Sequence, residues 1–168
     1  MRILIKTKEE KKLLYKCGII FIILVALDQL TKYLIVANPE LIRKPLVVVP
    51  GLFDIVSVRN TGAAWGMFHG NNVILLFVAF IAFIVLIIFF RSITEMCQER
   101  YIALSLVLSG IVGNSLDRLF RHSVVDFLDF YVGSYHWPAF NVADSAICIG
   151  VCLLIFSFLF RKPLTASQ

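Results

Sequence analysis

Histidine is scarce in this chain, and the common hydrolytic signatures are missing. The three histidines, His69, His122 and His136, are scattered, and neither an HExxH zinc helix nor a GxSxG nucleophile elbow occurs. Cysteine is sparse too: Cys17, Cys97, Cys148 and Cys152 lie in or beside apolar runs. Cys148 and Cys152 are four apart, as a helical ligand pair would be. No histidine or carboxylate cluster completes a metal site there, so core packing accounts for them better. Charged residues make up only 16% of the chain, and the net charge of +5 comes from bases at the ends and in loops, not on one face. That distribution argues against nucleic acid and for anionic lipid and membrane orientation. There is no internal repeat, which argues against a small transporter of the repeat type.

What the chain has is apolar length. At 60% hydrophobic it reads as one compact integral membrane domain over residues 1–168. Arg2, Lys6, Lys8, Lys11, Lys12 and Lys16 precede the run CGIIFIILVAL and together mimic a signal peptide. No small-x-small cleavage pattern follows, and a helical pattern continues to Ala37, so the segment is expected to be retained. The expectation is four transmembrane helices at about 13–37, 73–90, 101–120 and 141–160, joined by extracytoplasmic segments at about 38–72 and 121–140. In the first segment Pro39, Pro45 and Pro50 break helices, while LVVV and LFDIVSV have the β-branched content of short strands. A small sheet lying on the membrane follows. The stretch NTGAAWG (60–66) has two readings. One is a tight turn with Trp65 anchored at the interface; the other is backbone that a substrate chain can approach closely at Gly62, Ala63 and Ala64.

Two periodicities mark the third helix. Ser105, Ser109 and Gly113 repeat every four residues and offer a close-packing face, and Ala146 and Gly150 do the same on the fourth. Beside the first stripe run Gly110, Asn114, Asp117 and Arg118, so one face turns polar towards its end. Ten Lys and Arg lie in the N-terminal stretch, the loop holding Arg91 and Arg100, and the C-terminal Arg161 and Lys162. The other six, Lys32, Arg43, Lys44, Arg59, Arg118 and Arg121, are spread over longer loops. The positive-inside rule then puts both termini in the cytoplasm and the polar cluster outside.

That cluster, residues 113–144, holds four of the six aspartates. Asp117 can pair with Arg118 and Arg121 within helical reach, which also relieves its poor position near a helix C-terminus. Asp129 in FLDFYV has no obvious partner and reads as a surface residue. Asp28 and Lys32 are one turn apart and can pair; the alternative for Lys32 is a snorkelling helix end. A Ser–Lys pair of Lys32 with Ser115 or Ser145 is conceivable, whereas Ser109 has no base to activate it. Asp126 and Asp144 remain. Asn141 and Asp144 form an Asn-x-x-Asp capping pattern, and the helix start there favours a negative charge. Val124, Val125, Phe127 and Leu128 surround Asp126 and favour its protonated form. Two carboxyls in contrasting surroundings suit general acid and base work, the plainer reading of Asp144 being a capping residue.

DQLTK (28–32), NTGAAWG (60–66), GNSLDR (113–118), VVDF (124–127) and FNVAD (140–144) resemble, in order, the motifs of the bacterial lipoprotein signal peptidases (signal peptidase II). The resemblance implies an all-α membrane protein of four helices with a small extracytoplasmic β-cradle. It implies an aspartyl endopeptidase that cuts diacylglyceryl-modified prolipoproteins just N-terminal to the lipidated cysteine. Asp126 and Asp144 match the family's catalytic pair. Asp28, Lys32, Asn60, Asn114, Arg118 and Asn141 match the polar residues around it, with Gly62 beside them. No cofactor or metal is implied. The implied partners are prolipoprotein, membrane lipid and globomycin-type inhibitors, and the implied place is the bacterial inner membrane with the site on its outer face.

Overall fold

The computed structural model describes residues 8–62 and 70–161. The stretch with Ala63, Ala64, Trp65, Gly66 and His69, and the terminal Arg2, Lys6 and Lys162, fall outside the described residues. Helix α1 spans Lys8–Val36, and Pro39 stops its continuation. A short α2 (Glu40–Arg43) leads to strands β1 (Leu46–Val49) and β2 (Phe53–Asn60). Pro50 and Gly51 join the two strands. Gly51 lies at φ +79° and Leu52 N–H donates to Val49 O at 3.0 Å, a turn in which glycine meets no steric cost. Helices α3 (Asn72–Ile88), α4 (Phe90–Thr94) and α5 (Gln98–Arg121) follow, then β3 (Val124–Val132), β4 (Tyr135–His136) and α6 (Val142–Phe160).

The sheet is antiparallel in the order β1-β2-β3-β4, so β2 and β3 are neighbours although α3, α4 and α5 intervene in sequence. Pairing of Val58 with Asp126 and of Asn60 with Val124 brings Asn60 beside Asp126. Thr61 and Gly62 after β2, and His122 and Ser123 before β3, are therefore held at one end of the bundle.

Helix α5 is the centre of the bundle, and α1, α3 and α6 all pack on it. Its small residues permit backbone contact with α6: a Cβ at Gly110 would stand 2.3 Å from Ala143 O, and one at Gly150 would stand 2.7 Å from Ala103 O. A Cβ at Gly113 would meet Asp28 Oδ2 at 2.5 Å, so α1 approaches the same face. Among the described residues three helices, α1, α5 and α6, are long and apolar enough to cross a membrane; α3 is apolar but has 17 residues. Their outward faces keep large apolar side chains exposed, as a lipid-facing surface requires. Cys17 and Cys97 are buried, but Cys148 and Cys152 are exposed, so core packing does not account for the latter two. The reason is rotational: the buried residues of α6 are Ala143, Ala146, Gly150 and Ser157, and positions 148 and 152 fall on the other face.

Charges close the bundle at the end remote from Asp117. Buried Arg100 donates from Nε to Ser157 Oγ at 2.9 Å, pairs with Glu95, and lies 4.1 Å over the Phe158 ring. Glu99 accepts from Ser157 and from Arg161, and Arg91 pairs with Glu10 of α1 at 2.9 Å.

Gly150→Val should separate α5 from α6, because the obstructing atom is backbone oxygen, and should cost about 1–3 kcal/mol of stability. Cys148→Val, two residues away on the exposed face, should stay within about 0.5 kcal/mol of wild type. Thermal unfolding of the purified proteins tests the contrast; an unchanged Tm for Gly150→Val would refute the close contact.

Candidate active site

Lys32 is fully buried, and its three N–H donors are all taken. They reach Asp28 Oδ2 at 2.9 Å, Asp117 Oδ2 at 3.0 Å and Asn114 Oδ1 at 2.9 Å. A buried ammonium needs such pairing, since an unpaired one would be far too costly. Lys32 therefore is not a snorkelling end. Nor does it engage a serine: Ser115 and Ser145 give their hydroxyls to the carbonyls of Ile111 and Asn141. Asp28 also accepts from Ala143 N–H at 2.9 Å, in the first turn of α6, where backbone donors lack helical partners. Asp117 is paired as expected, but with Lys32 and Arg121 rather than Arg118. Arg118 turns the other way, donating to Gly62 O at 3.0 Å and to Asn114 O at 3.5 Å.

The two carboxylates singled out from the sequence come into one hydrogen-bond network. Asp126, on β3, is 2% exposed, and its oxygens accept from Asn141 Nδ2 at 2.7 Å and Asn60 Nδ2 at 2.9 Å. Asp144, half-buried in the first turn of α6, accepts from Asn114 Nδ2 at 2.7 Å and from Asn141 N–H at 3.2 Å. Asn141 caps α6, its Oδ1 accepting from Asp144 N–H, so the capping box forms as the sequence spacing predicts. One residue thus touches both acids.

The direction of each amide is fixed by what its oxygen accepts. Asn114 Oδ1 is held by Lys32, Asn141 Oδ1 by the α6 backbone, and Asn60 Oδ1 by Gly62 N–H at 2.9 Å. Each NH₂ is therefore left pointing at a carboxylate. For Gly62 this means that its N–H and C=O are both engaged inside the protein.

Burial pushes the Asp126 carboxyl up to about 6; the Asn60 bond opposes the rise, nearby Asp144 adds to it, and Asn141 and Lys32 lower it again. Asp129 is not a surface residue. It is buried and pairs with His136 Nδ1 at 2.9 Å, because β4 folds back over that side of β3. The sequence reading missed Gln29, whose Nε2 donates to Asp28 Oδ2 and Gly113 O at 3.1 Å each and whose Oε1 accepts from Arg121 at 2.9 Å. Its place beside Asp28 was the only signal.

Residues 20–160 match the family described as Signal peptidase (SPase) II. The Lipoprotein signal peptidase of Bacillus pumilus (strain SAFR-032) is 40% identical over 141 residues, covering 84% of this chain and 90% of that protein. A bacterial membrane enzyme solved by the in meso method at 2.3 Å resolution superposes with a TM-score of 0.80 at 35% identity, covering 91% of this chain and 94% of its own. A second, solved at 1.9 Å resolution, gives a TM-score of 0.78 at 35% identity, covering 88% and 94%. With a family match across most of its length and a relative at that identity, the chain belongs to the signal peptidase II family, the lipoprotein signal peptidases.

Proposed function

We propose that this family member is an aspartyl endopeptidase that cleaves diacylglyceryl-modified prolipoproteins immediately N-terminal to the lipidated cysteine. The observation that carries the reading is Asn141, which donates to Asp126 and Asp144 and so holds both acids in one network at the start of an apolar helix. Asp144, the more open of the two, takes a proton from the attacking water. Asp126, whose protonated form burial favours, donates to the carbonyl oxygen as the water oxygen bonds to carbon. The C–N bond then breaks, and a proton passes to the departing amine of the cysteine. Proton transfer of this kind contributes ~10²–10⁴-fold. Arg118, whose buried Nε has no partner among the described residues, would receive substrate backbone near Gly62.

The lipid places the bond. A diacylglyceryl anchor contributes about 0.8 kcal/mol per buried methylene, which fixes the cysteine at the bilayer surface. In this reading α3 is a fourth span, since its 17 residues stand at the lower end of the roughly 17–25 that cross a bilayer. The ten-to-six split of Lys and Arg puts both termini in the cytoplasm and the acids at the outer face of the bacterial inner membrane. Cyclic peptides of the globomycin type would occupy the same site. The reading needs no metal or organic cofactor.

Asp126→Asn and Asp144→Asn should each lose at least ~10²-fold in single-turnover cleavage of a lipidated precursor, and the double variant should be little worse than either. A folded single variant that keeps a tenth of the rate would remove that aspartate from the mechanism.

Asp126→Asn should also gain stability at pH 8. Because Asp126 binds its proton more tightly when folded, its favourable contribution is complete below about 3.8 and is lost as pH rises through about 6. Asparagine loses nothing on that rise, so its Tm advantage should grow between those values; a gap independent of pH would contradict the assigned shift.

A precursor with a free cysteine thiol should be cleaved at least ~10²-fold more slowly than its diacylglyceryl form at equal membrane concentration. Comparable rates would end the lipid-anchoring part of the reading.

A further inference from the structure

The reaction just described gives no task to Arg121, yet the buried charges around Lys32 do not balance without it. Asp28, Lys32 and Asp117 are each at most 1% exposed, which puts two negative charges against one positive. Arg121 supplies the second positive charge from one turn along α5, pairing with Asp117 Oδ1. Gln29 locks it there, accepting from Arg121 at 2.9 Å while donating to Asp28 and, at 3.3 Å, to Asp117. The two acids and two bases thus form a neutral unit, and Arg118 stands outside it, its Nη1 and Nη2 donating to carbonyl oxygens.

This unit lies next to the reacting pair by two routes. Lys32 bonds Asn114, which bonds Asp144. Asp117 Oδ2 also accepts from Val125 N–H at 3.1 Å, one residue before Asp126. The charged groups nearest the pair are then Lys32 and Asp28 from α1 and Arg118 from α5, with Asp117 and Arg121 behind them. We infer that Arg121, held by Gln29, is a positioning residue whose charge keeps the Asp28–Lys32–Asp117 cluster neutral and thereby sets the pH range in which Asp126 and Asp144 work.

The inference rests on the peptidase reading for its activity test, and its sign follows from the charge count. Loss of Arg121 leaves one uncompensated negative charge, which favours protons on both acids and moves both limbs of the pH–rate profile to higher pH. Arg121→Gln should shift the acid limb upward by about half a unit, the size expected of one charge that reaches Asp126 through Asp117 and the Val125 backbone, and Asp144 through Asp117, Lys32 and Asn114. Arg121→Lys keeps the charge and should leave the limb in place. Asp117→Asn combined with Arg121→Gln restores neutrality and should return the limb towards wild type, even if the protein is less stable.

The measurement is the pH–rate profile for cleavage of a diacylglyceryl-modified precursor in lipid bilayers, with carboxyl-carbon NMR titration of Asp126 in the same four proteins. An Arg121→Gln limb that stays put while rate or Tm falls would make Arg121 a structural ion-pair partner only and overturn the inference. So would a double variant still shifted as far as the single one. The NMR titration needs no turnover. If the wild type fails to cleave the precursor, the peptidase reading fails, and the charge inference then stands or falls on the Asp126 shift between wild type and Arg121→Gln.

Discussion

A lysine ammonium buried between two carboxylates is the interaction on which this architecture depends. Lys32 comes from α1, Asp117 and Asn114 from α5, and Asp28 passes the contact on to the first turn of α6. Removing either carboxylate would leave a buried charge undercompensated, a loss of several kcal/mol in comparable cases. The ammonium also decides the direction of an amide. Because it occupies Asn114 Oδ1, that residue has only donors left for Asp144. Electrostatic pairing within the bundle thus becomes hydrogen-bond polarity at its edge.

The packing around this centre is uneven. Between α5 and α6, glycines bring one helix surface against the backbone of the other, and the fit leaves no room for a methyl group. By contrast, α3 rests on α5 and presents large apolar side chains elsewhere. A second polar lock, made by Arg100, Ser157, Glu95 and Glu99, ties α5 and α6 at their remote end. The bundle is therefore pinned at both ends of α5, with close small-residue contact between.

Much of this is legible in the sequence where one residue type has one physical use. The Asn-x-x-Asp spacing before an apolar run reads directly as a capped helix, and the β-branched runs LVVV and LFDIVSV read as short strands. Small residues every four positions mark the α5 face that α1 and α6 share. What sequence could not give was the choice among partners. Asp117 has two arginines within helical reach, and only the placement of α1 adds Lys32 and aims Arg118 elsewhere. Asp129 looked solitary because its partner belongs to a two-residue strand that no periodicity announces. Cys148 and Cys152 were misread because an all-apolar helix has no polar face to reveal its rotation. Gln29 carries no charge, and its importance appears only once α1 is packed against α5.

The bond from Ala143 N–H to Asp28 joins residues 115 apart, the first helix to the last. Asn141 and Asp144 arrive with that same last helix, while Asp126 is paired to a strand made before α3. During synthesis the chain therefore carries one acid of the pair without the other until its final apolar segment enters. Contacts of such long sequence separation form slowly, after local helices are already in place. The time at which the two acids meet is set by completion of the whole bundle, and a chain arrested before α6 holds an isolated carboxyl and an unpaired acceptor on α1.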